Sequence, residues 1–317
     1  MFNKSPRDNK YIADLQIMLI ENYNFSIELI SEAKRGFFGE TWKVTTNTQD
    51  YFVKIDYWDY HKHLYRNSFT VIDFILQNGI NFIPKIIKTK NGELFCYFNQ
   101  GIVGVFEFID GQNTEDYPIE SLFDRLAKIY KIVTDNLRIE IEAFDMSIID
   151  NYLCLKNEIS DYDNQEAKQV IELLTSKNDL LKTYEERLEL FSRRCIDDRS
   201  NFHITHGDAG GNCIINGETL TIIDWDYPKL APPERDAWFF INNNDLIGKI
   251  CNIINYDLKI ERLCYYCYYS FFYYLAEYLK AYIFVESIYK KDVYTSLISY
   301  FDSCWIFKQL SFADGIY

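Results

Sequence analysis

Residues 205 to 226 read THGDAGGNCIINGETLTIIDWD, and several side chains in this stretch are of the types needed to move a phosphoryl group onto a hydroxyl. Such a transfer needs a carboxylate to orient the hydroxyl and take its proton late, and oxygen ligands for a hard cation on the phosphates. Asp208 suits the first task, because glycines at 207, 210 and 211 force an exposed loop around it. His206 is placed to hold that loop by side-chain hydrogen bonding. Asn212 offers a neutral oxygen to a cation such as magnesium. Asp224 ends the apolar run TIID and is positioned to contact the same ion. A Gly/Asn/Asp-rich turn without chemistry competes as a reading of the loop alone, but the arrival of a second acid with the amide favours a site. Asp226 either assists Asp224 or caps the following turn, and the turn is the preferred reading.

These groups need a scaffold, and the first third of the chain reads as strands. Ile27 to Glu32 is apolar, and Thr41–Thr46 and Tyr51–Ile55 alternate about a hairpin at NTQD. A helix follows over roughly 64–78, with Phe69, Ile72, Ile75 and Leu76 at helical spacing and Gly79 as its stop. Leu94–Phe98 and Val103–Phe108 are further strands, bracketed by turn signals at Asn91-Gly92 and Asn99-Gln100-Gly101. Asp110-Gly111 ends the sheet. Helices are expected over 119–137, 146–159, 165–194 and, after a brief return to strand at 204–226, over 233–312. The fold class is therefore α+β and bilobal: a small N-terminal antiparallel sheet with a helix over 1–110, then a larger, mainly helical lobe over 111–317 with a cleft at the junction. Lys54 alternates toward an interior face in YFVKI, and a buried lysine needs a counter-charge.

Composition narrows the function classes. With 317 residues, 48% of them hydrophobic, the chain has ample core-forming material, which excludes wholesale disorder. A formal net charge of −14 argues against a nucleic-acid surface and against docking to anionic lipid. It suits a cationic small-molecule partner, although solubility alone accounts for an acidic surface. The polar N-terminus MFNKSPRDNK and the eight cysteines lead to the expectation of a cytoplasmic protein with reduced thiols. Cys264 and Cys267 form a lone CxxC within a helical pattern, with no second ligand pair, and are read as core. LCYYCYYSFFYYLA, at 263–276, is too short to span a bilayer.

HGDAGGN, IIDWDYPKLAPPERDAW and the upstream FVKI together resemble the aminoglycoside phosphotransferase family, a branch of the protein-kinase-like fold, and within it the spectinomycin phosphotransferase-like branch. The resemblance implies Asp208 as catalytic base, Asn212 and Asp224 as magnesium ligands, and Lys54 on the α- and β-phosphates of ATP or GTP. By position, RGFFGE, with Gly36 and Gly39, would cover the phosphates, and Phe106, Glu107, Phe108 and Ile109 would form the adenine-binding hinge. Arg235 and Asp236 would be structural. Two features depart from the pattern. Asp208 and Asn212 are one residue closer than usual, and the helix at 64–78 carries no glutamate for the lysine, leaving Asp59 as a substitute. The tyrosine-rich helices at 264–289 would be core or line an acceptor site, with Asp245, Glu261, Glu277 and Glu286 as acids for a cation. The implied activity is transfer of the γ-phosphate to a hydroxyl of an aminoglycoside or aminocyclitol. The alternatives are a metabolic kinase for choline, a sugar or an amino alcohol, and a catalytically weak nucleotide-binding protein.

Overall fold

The computed structural model describes residues 7–33, 39–114, 116–285, 289–303 and 305–316. The expectations for Gly36, Glu286 and Cys304 lie outside the described residues. The rest divide into two compact units, each assembled from two stretches of chain: 7–141 with 203–231, and 142–202 with 232–316. The compact units thus do not follow a division at residue 110, because 111–141 and 203–231 pack into the unit that holds the N-terminal sheet.

That unit opens with a helix the strand-rich reading passed over, α1 (Asn9–Tyr23). Its signals are local. The Asp8 side chain accepts the Tyr11 N–H at 2.7 Å, Asn24 ends the helix in the left-handed region, and Leu15, Met18 and Leu19 recur at helical spacing. The strands β1 (Ile27–Glu32), β2 (Glu40–Thr46) and β3 (Asp50–Asp56) follow, then α2 (Asp59–Gln77), β4 (Cys96–Phe98) and β5 (Gly101–Glu107). They form an antiparallel sheet in the order β1-β2-β3-β5-β4. At the β4–β5 turn both Asn99 and Gln100 have positive φ, the geometry that lets a two-residue hairpin follow strand twist. Period-2 alternation then assigns the faces. Val53, Ile55, Val103 and Val105 join Trp42, Val44 and the α1 stripe in one core. Lys54, Gly104 and Phe106 take the opposite face, against α2: Phe69 packs on Phe106 with ring centroids 5.8 Å apart. Lys54 pairs in register with Thr41 and Gly104. A Cβ at Gly104 would stand 2.5 Å from the Phe69 ring, so the glycine is what lets α2 approach the sheet beside Lys54.

Beyond the sheet come β6 (Gln112–Asn113), α3 (Ile119–Ile129), β7 (His203–Thr205), β8 (Cys213–Asn216), β9 (Thr219–Ile222) and β10 (Lys229–Ala231). α3 is shorter than expected, ending in turns after Ile129. β6, β8 and β9 form one small sheet, and β7 pairs with β10 in another. Gly111 has φ of 143° and a Cβ there would lie 2.5 Å from the Ile215 carbonyl oxygen, which is why a glycine leads into β6.

The second unit is helical: α4 (Ser147–Ser160), α5 (Gln165–Ser176), α6 (Asn178–Cys195), α7 (Glu234–Ala237), α8 (Asn244–Ile254), α9 (Ile260–Phe284), α10 (Lys290–Ser303) and α11 (Phe307–Asp314). The helix expected over 165–194 is two, separated at Lys177. α9 is the hub, contacting α4, α6, α7, α10 and α11. Tyr265, Tyr266, Tyr268 and Tyr282 are core, and hydroxyls of the first three find acceptors: Tyr265 the Asp145 carbonyl (3.1 Å), Tyr266 the buried Glu142 carboxylate (3.3 Å), Tyr268 that of Asp314 (2.6 Å). Cys264 and Cys267 are buried thiols in this helix, and all seven described cysteines are free. Of the acids considered for an acceptor, Glu277 is buried and bonded to Lys280 at 2.7 Å, whereas Asp245 is exposed. Arg235 and Asp236 are buried in α7. No described helix is long and apolar enough to cross a membrane.

Arg262, buried on α9, meets Asp198 at 2.9 Å and Glu234 at 3.7 Å. The hydrogen bonds from Lys259 and Ser200, with Arg262 beyond them, hold the Asp198 carboxyl well below the usual carboxylate range. Folded Asp198 therefore stays ionised where the unfolded chain takes up a proton near pH ~4, so its stabilisation is complete above that pH and is lost as acid is added. Asp198→Asn should flatten the acid limb of the pH–stability curve, measured as urea midpoints between neutral pH and pH ~3. An acid limb as steep as in the parent would remove Asp198 from this role.

Candidate active site

The first unit brings together residues that lie far apart in the chain. Lys54 is buried on β3, and its ammonium reaches Asp224 Oδ1 at 2.6 Å and Asp226 Oδ2 at 2.5 Å, across 170 and 172 positions. Burial works against the charge, but the two carboxylates outweigh it and hold the amine well above its usual range. The carboxylates differ. Asp224 is lowered, because attraction to Lys54 overcomes its withdrawal from bulk water. Asp226 is pushed up to about 6 by that withdrawal and by the charge of Asp224 beside it. Two carboxylates on one ammonium leave one negative charge over. The side chains of both remain partly open, 44% and 39% exposed, which suits the approach of a cation.

The counter-charge for Lys54 thus comes from the 224–226 turn and not from α2. Asp59, the substitute expected from sequence, instead bonds Lys62 at 2.6 Å and is almost fully exposed. What α2 contributes is Tyr65, whose hydroxyl donates to Asp226 Oδ2 at 3.1 Å and whose ring centroid lies 5.2 Å from the Lys54 ammonium. Sequence reading missed this residue, although the stripe through Phe69 and Ile72 leads back to it by one turn. The turn itself is tightly made. Asp224 is in the left-handed region (φ 64°), and its carbonyl accepts the Asp226 N–H at 2.9 Å. Trp225 is buried between them, donates to the Ile222 carbonyl at 3.0 Å and, through its own carbonyl, accepts from Ser68 of α2 at 2.5 Å. The preferred reading of Asp226 as a cap for the following turn is corrected: its side chain bonds Lys54 and Tyr65, beside Asp224.

His206 holds the loop, and the bonds identify its tautomer. Nδ1 accepts the Asp208 N–H at 3.2 Å, so Nε2 carries the hydrogen and donates to the Ile223 carbonyl at 2.8 Å. The ring packs edge-on against Trp225, 4.6 Å between centroids. Asn212 closes the loop, its amide nitrogen donating to the Asp208 carbonyl (2.7 Å) and carboxylate (3.2 Å). That leaves the amide oxygen as the Asn212 group for a cation. The Ile223 N–H donates to the Asn212 carbonyl at 2.8 Å, binding the loop to the residue before Asp224. The four-residue spacing of Asp208 and Asn212 is accommodated by a short 3₁₀ turn at Ala209–Gly211, and Tyr117 donates to the Gly210 carbonyl.

Among the described residues no three or more His, Cys, Asp or Glu are grouped to hold a metal. A carboxylate at Asp224 and an amide oxygen at Asn212 fit magnesium better than zinc, because magnesium commonly takes one or two carboxylates and completes its shell with phosphates and water. Of the segment expected from sequence to cover the phosphates, Gly39 is described, and a Cβ there would lie 3.2 Å from the Ile55 carbonyl and 3.8 Å from the Lys54 side chain. Phe106 is buried at the end of β5. The N–H groups of Glu107 and Phe108 donate to the carbonyls of Lys85 (2.9 Å) and Asp50 (3.2 Å), and Ile109 follows them in the chain.

Lys54→Met should leave the two carboxylates facing each other with no ammonium. The expected loss is about 1–3 kcal/mol, below the ~3–5 of a fully buried broken pair because both acids reach solvent. The gap to the parent should narrow as pH falls, since protonating one carboxylate relieves the repulsion. Urea midpoints at neutral and mildly acid pH test this, and a gap that widens on acidification would contradict it.

No family model and no curated protein matches the sequence. Solved structures do match in shape. A spectinomycin phosphotransferase, APH(9)-Ia, in complex with ADP and spectinomycin, superposes with a TM-score of 0.74 at 19% identity, covering 97% of this chain and 99% of that one. A microcompartment-associated aminopropanol kinase gives 0.65 at 13% identity, over 96% and 97%. The choline kinase LicA of Streptococcus pneumoniae gives 0.58 at 15% identity, over 93% and 100%. At these identities the likeness concerns the fold, and the chain has the fold of these small-molecule phosphotransferases and kinases.

Proposed function

We propose that this protein is a magnesium-dependent, cytoplasmic small-molecule kinase that transfers the γ-phosphate of ATP or GTP to a hydroxyl of an aminoglycoside or aminocyclitol. The observation that carries the reading is the convergence of Lys54 with Asp224, next to a loop in which Asn212 is bonded to Asp208. In the proposed reaction Asp208 orients the acceptor hydroxyl and takes its proton late in transfer, where phosphoryl transition states need it. His206 keeps Asp208 in place through the Nδ1 contact to its amide. Lys54, kept charged by its carboxylates, is the group for the α- and β-phosphates. Asn212 and Asp224 would hold the magnesium ion, which supplies neutralisation of phosphate charge. Gly39 and the hinge residues Phe106 to Ile109 would bound the nucleotide.

The acidic composition supports a cationic acceptor, and the likeness to a spectinomycin phosphotransferase supports the aminocyclitol class. Likeness to aminopropanol and choline kinases supports testing amino alcohols as a second acceptor class. The reading as a catalytically weak nucleotide-binding protein rested on the absent helix glutamate, and the two carboxylates on Lys54 weaken it.

The test is nucleoside diphosphate release from ATP and from GTP with magnesium, across aminoglycosides, spectinomycin, choline, amino alcohols and sugars. One acceptor class should stimulate release. Nucleotide binding with no stimulated release by any acceptor would count against the kinase reading. Asp208→Ala should lower turnover by roughly 10²-fold or more, the scale of a lost general base, with nucleotide affinity within a few-fold. Near-normal turnover would remove Asp208 from the mechanism. Asp224→Ala should instead raise the magnesium concentration needed for nucleotide binding, and an unchanged requirement would refute its role as a ligand.

A further inference from the structure

α2 contains two acids and no glutamate, and both acids are engaged away from the site: Asp59 with Lys62 at 2.6 Å, Asp73 with Lys88 at 2.9 Å. The helix nonetheless reaches Lys54. Tyr65 and Ser68 lie three residues apart, on one helix face, and both bond the 224–226 turn, Tyr65 to Asp226 Oδ2 and Ser68 to the Trp225 carbonyl. The oxygen that accepts from Tyr65 is the one that holds the Lys54 ammonium. Asp226 is thus fixed from two sides, by β3 through the lysine and by α2 through the tyrosine. The contact of Asp224 is of another kind: it reaches the same ammonium from the second residue after β9, next to Ile223, whose N–H donates to the Asn212 carbonyl.

We propose that Asp226 is the positioning residue for Lys54, tied to α2 by Tyr65, and that it performs from the turn what a carboxylate on the helix would otherwise perform. One ammonium balances one carboxylate. With Asp226 on the lysine, the charge of Asp224 is left to attract a cation. A shift of α2 would move Tyr65, then Asp226, then the amine, so the helix keeps control of Lys54 without an acid of its own. The catalytic consequence rests on the kinase reading above, whereas the arrangement around the amine does not.

The first measurement uses the nucleotide-free protein. Acylation of Lys54 by an amine-reactive reagent is followed by mass spectrometry in the parent and in Asp226→Asn, Asp226→Glu and Tyr65→Phe, with thermal melts confirming that each variant is folded. Loss of a charge-assisted hydrogen bond should speed labelling about tenfold in Asp226→Asn. Asp226→Glu should restore much of the protection. Tyr65→Phe should speed labelling less, and should add nothing in the Asp226→Asn background, since both act on one contact. Unchanged labelling in folded Asp226→Asn, or full additivity of the two changes, would overturn the proposal whatever the protein catalyses. The second measurement is steady-state turnover. Asp226→Asn should raise the nucleotide KM about tenfold, with acceptor KM and magnesium requirement within about twofold. A magnesium requirement displaced as far as in Asp224→Asn would make Asp226 a metal ligand and overturn the positioning role. Faster labelling in a protein that no acceptor turns over would refute the kinase reading and leave the positioning of Lys54 standing.

Discussion

An amine withdrawn from water keeps its charge only while anions stay with it, and the first unit is organised around meeting that condition at Lys54. β3 points the lysine to the α2 face of the sheet, and Gly104 opposite it makes room for Phe69 and so for the helix. α2 brings Tyr65, and the turn after β9 brings Asp224 and Asp226. The left-handed backbone at Asp224 is the local strain accepted to aim two successive acids, separated by one buried tryptophan, at a single ammonium. The buried ring of Trp225 then serves both sides, anchoring the turn and giving His206 a surface to pack against.

The candidate residues of this unit were legible in sequence because they lie in short stretches. Glycines around Asp208, an amide at Asn212 and an acid at the end of an apolar run are local patterns, and the loop they predict is the loop observed. Lys54 in an alternating strand was equally readable, as was its need for a counter-charge. The identity of that counter-charge was not. It lies 170 positions away, and nothing in the spacing of β3 or α2 points to it. Asp59 looked suitable because it begins the right helix, but the helix turns it to solvent. α1 was overlooked for a different reason: its apolar stripe is narrow, and its clearest signals are the single caps at Asp8 and Asn24.

The helical unit shows the opposite balance. Periodicity placed α4 and the outer ends of the α5–α6 pair to within a residue, yet ran α5 into α6 across Lys177 and gave 233–312 as one helical stretch that the fold divides into α7 to α11. Tyrosine reads as ambivalent in sequence because it has an apolar ring and a polar tip. Here the tips find acceptors supplied by distant residues, Asp145, Glu142 and Asp314, and the rings are thereby free to pack as core.

The first unit is discontinuous in the chain, closed by residues 203–231 after an excursion of about sixty residues into the second. During synthesis the N-terminal sheet emerges long before its partners, and at ribosomal speed Lys54 waits some seconds for Asp224 and Asp226. Until then the amine has no carboxylate from the turn, and the sheet face against α2 cannot close dry around it. The order of the sequence thus makes completion of the site one of the last events in building that unit.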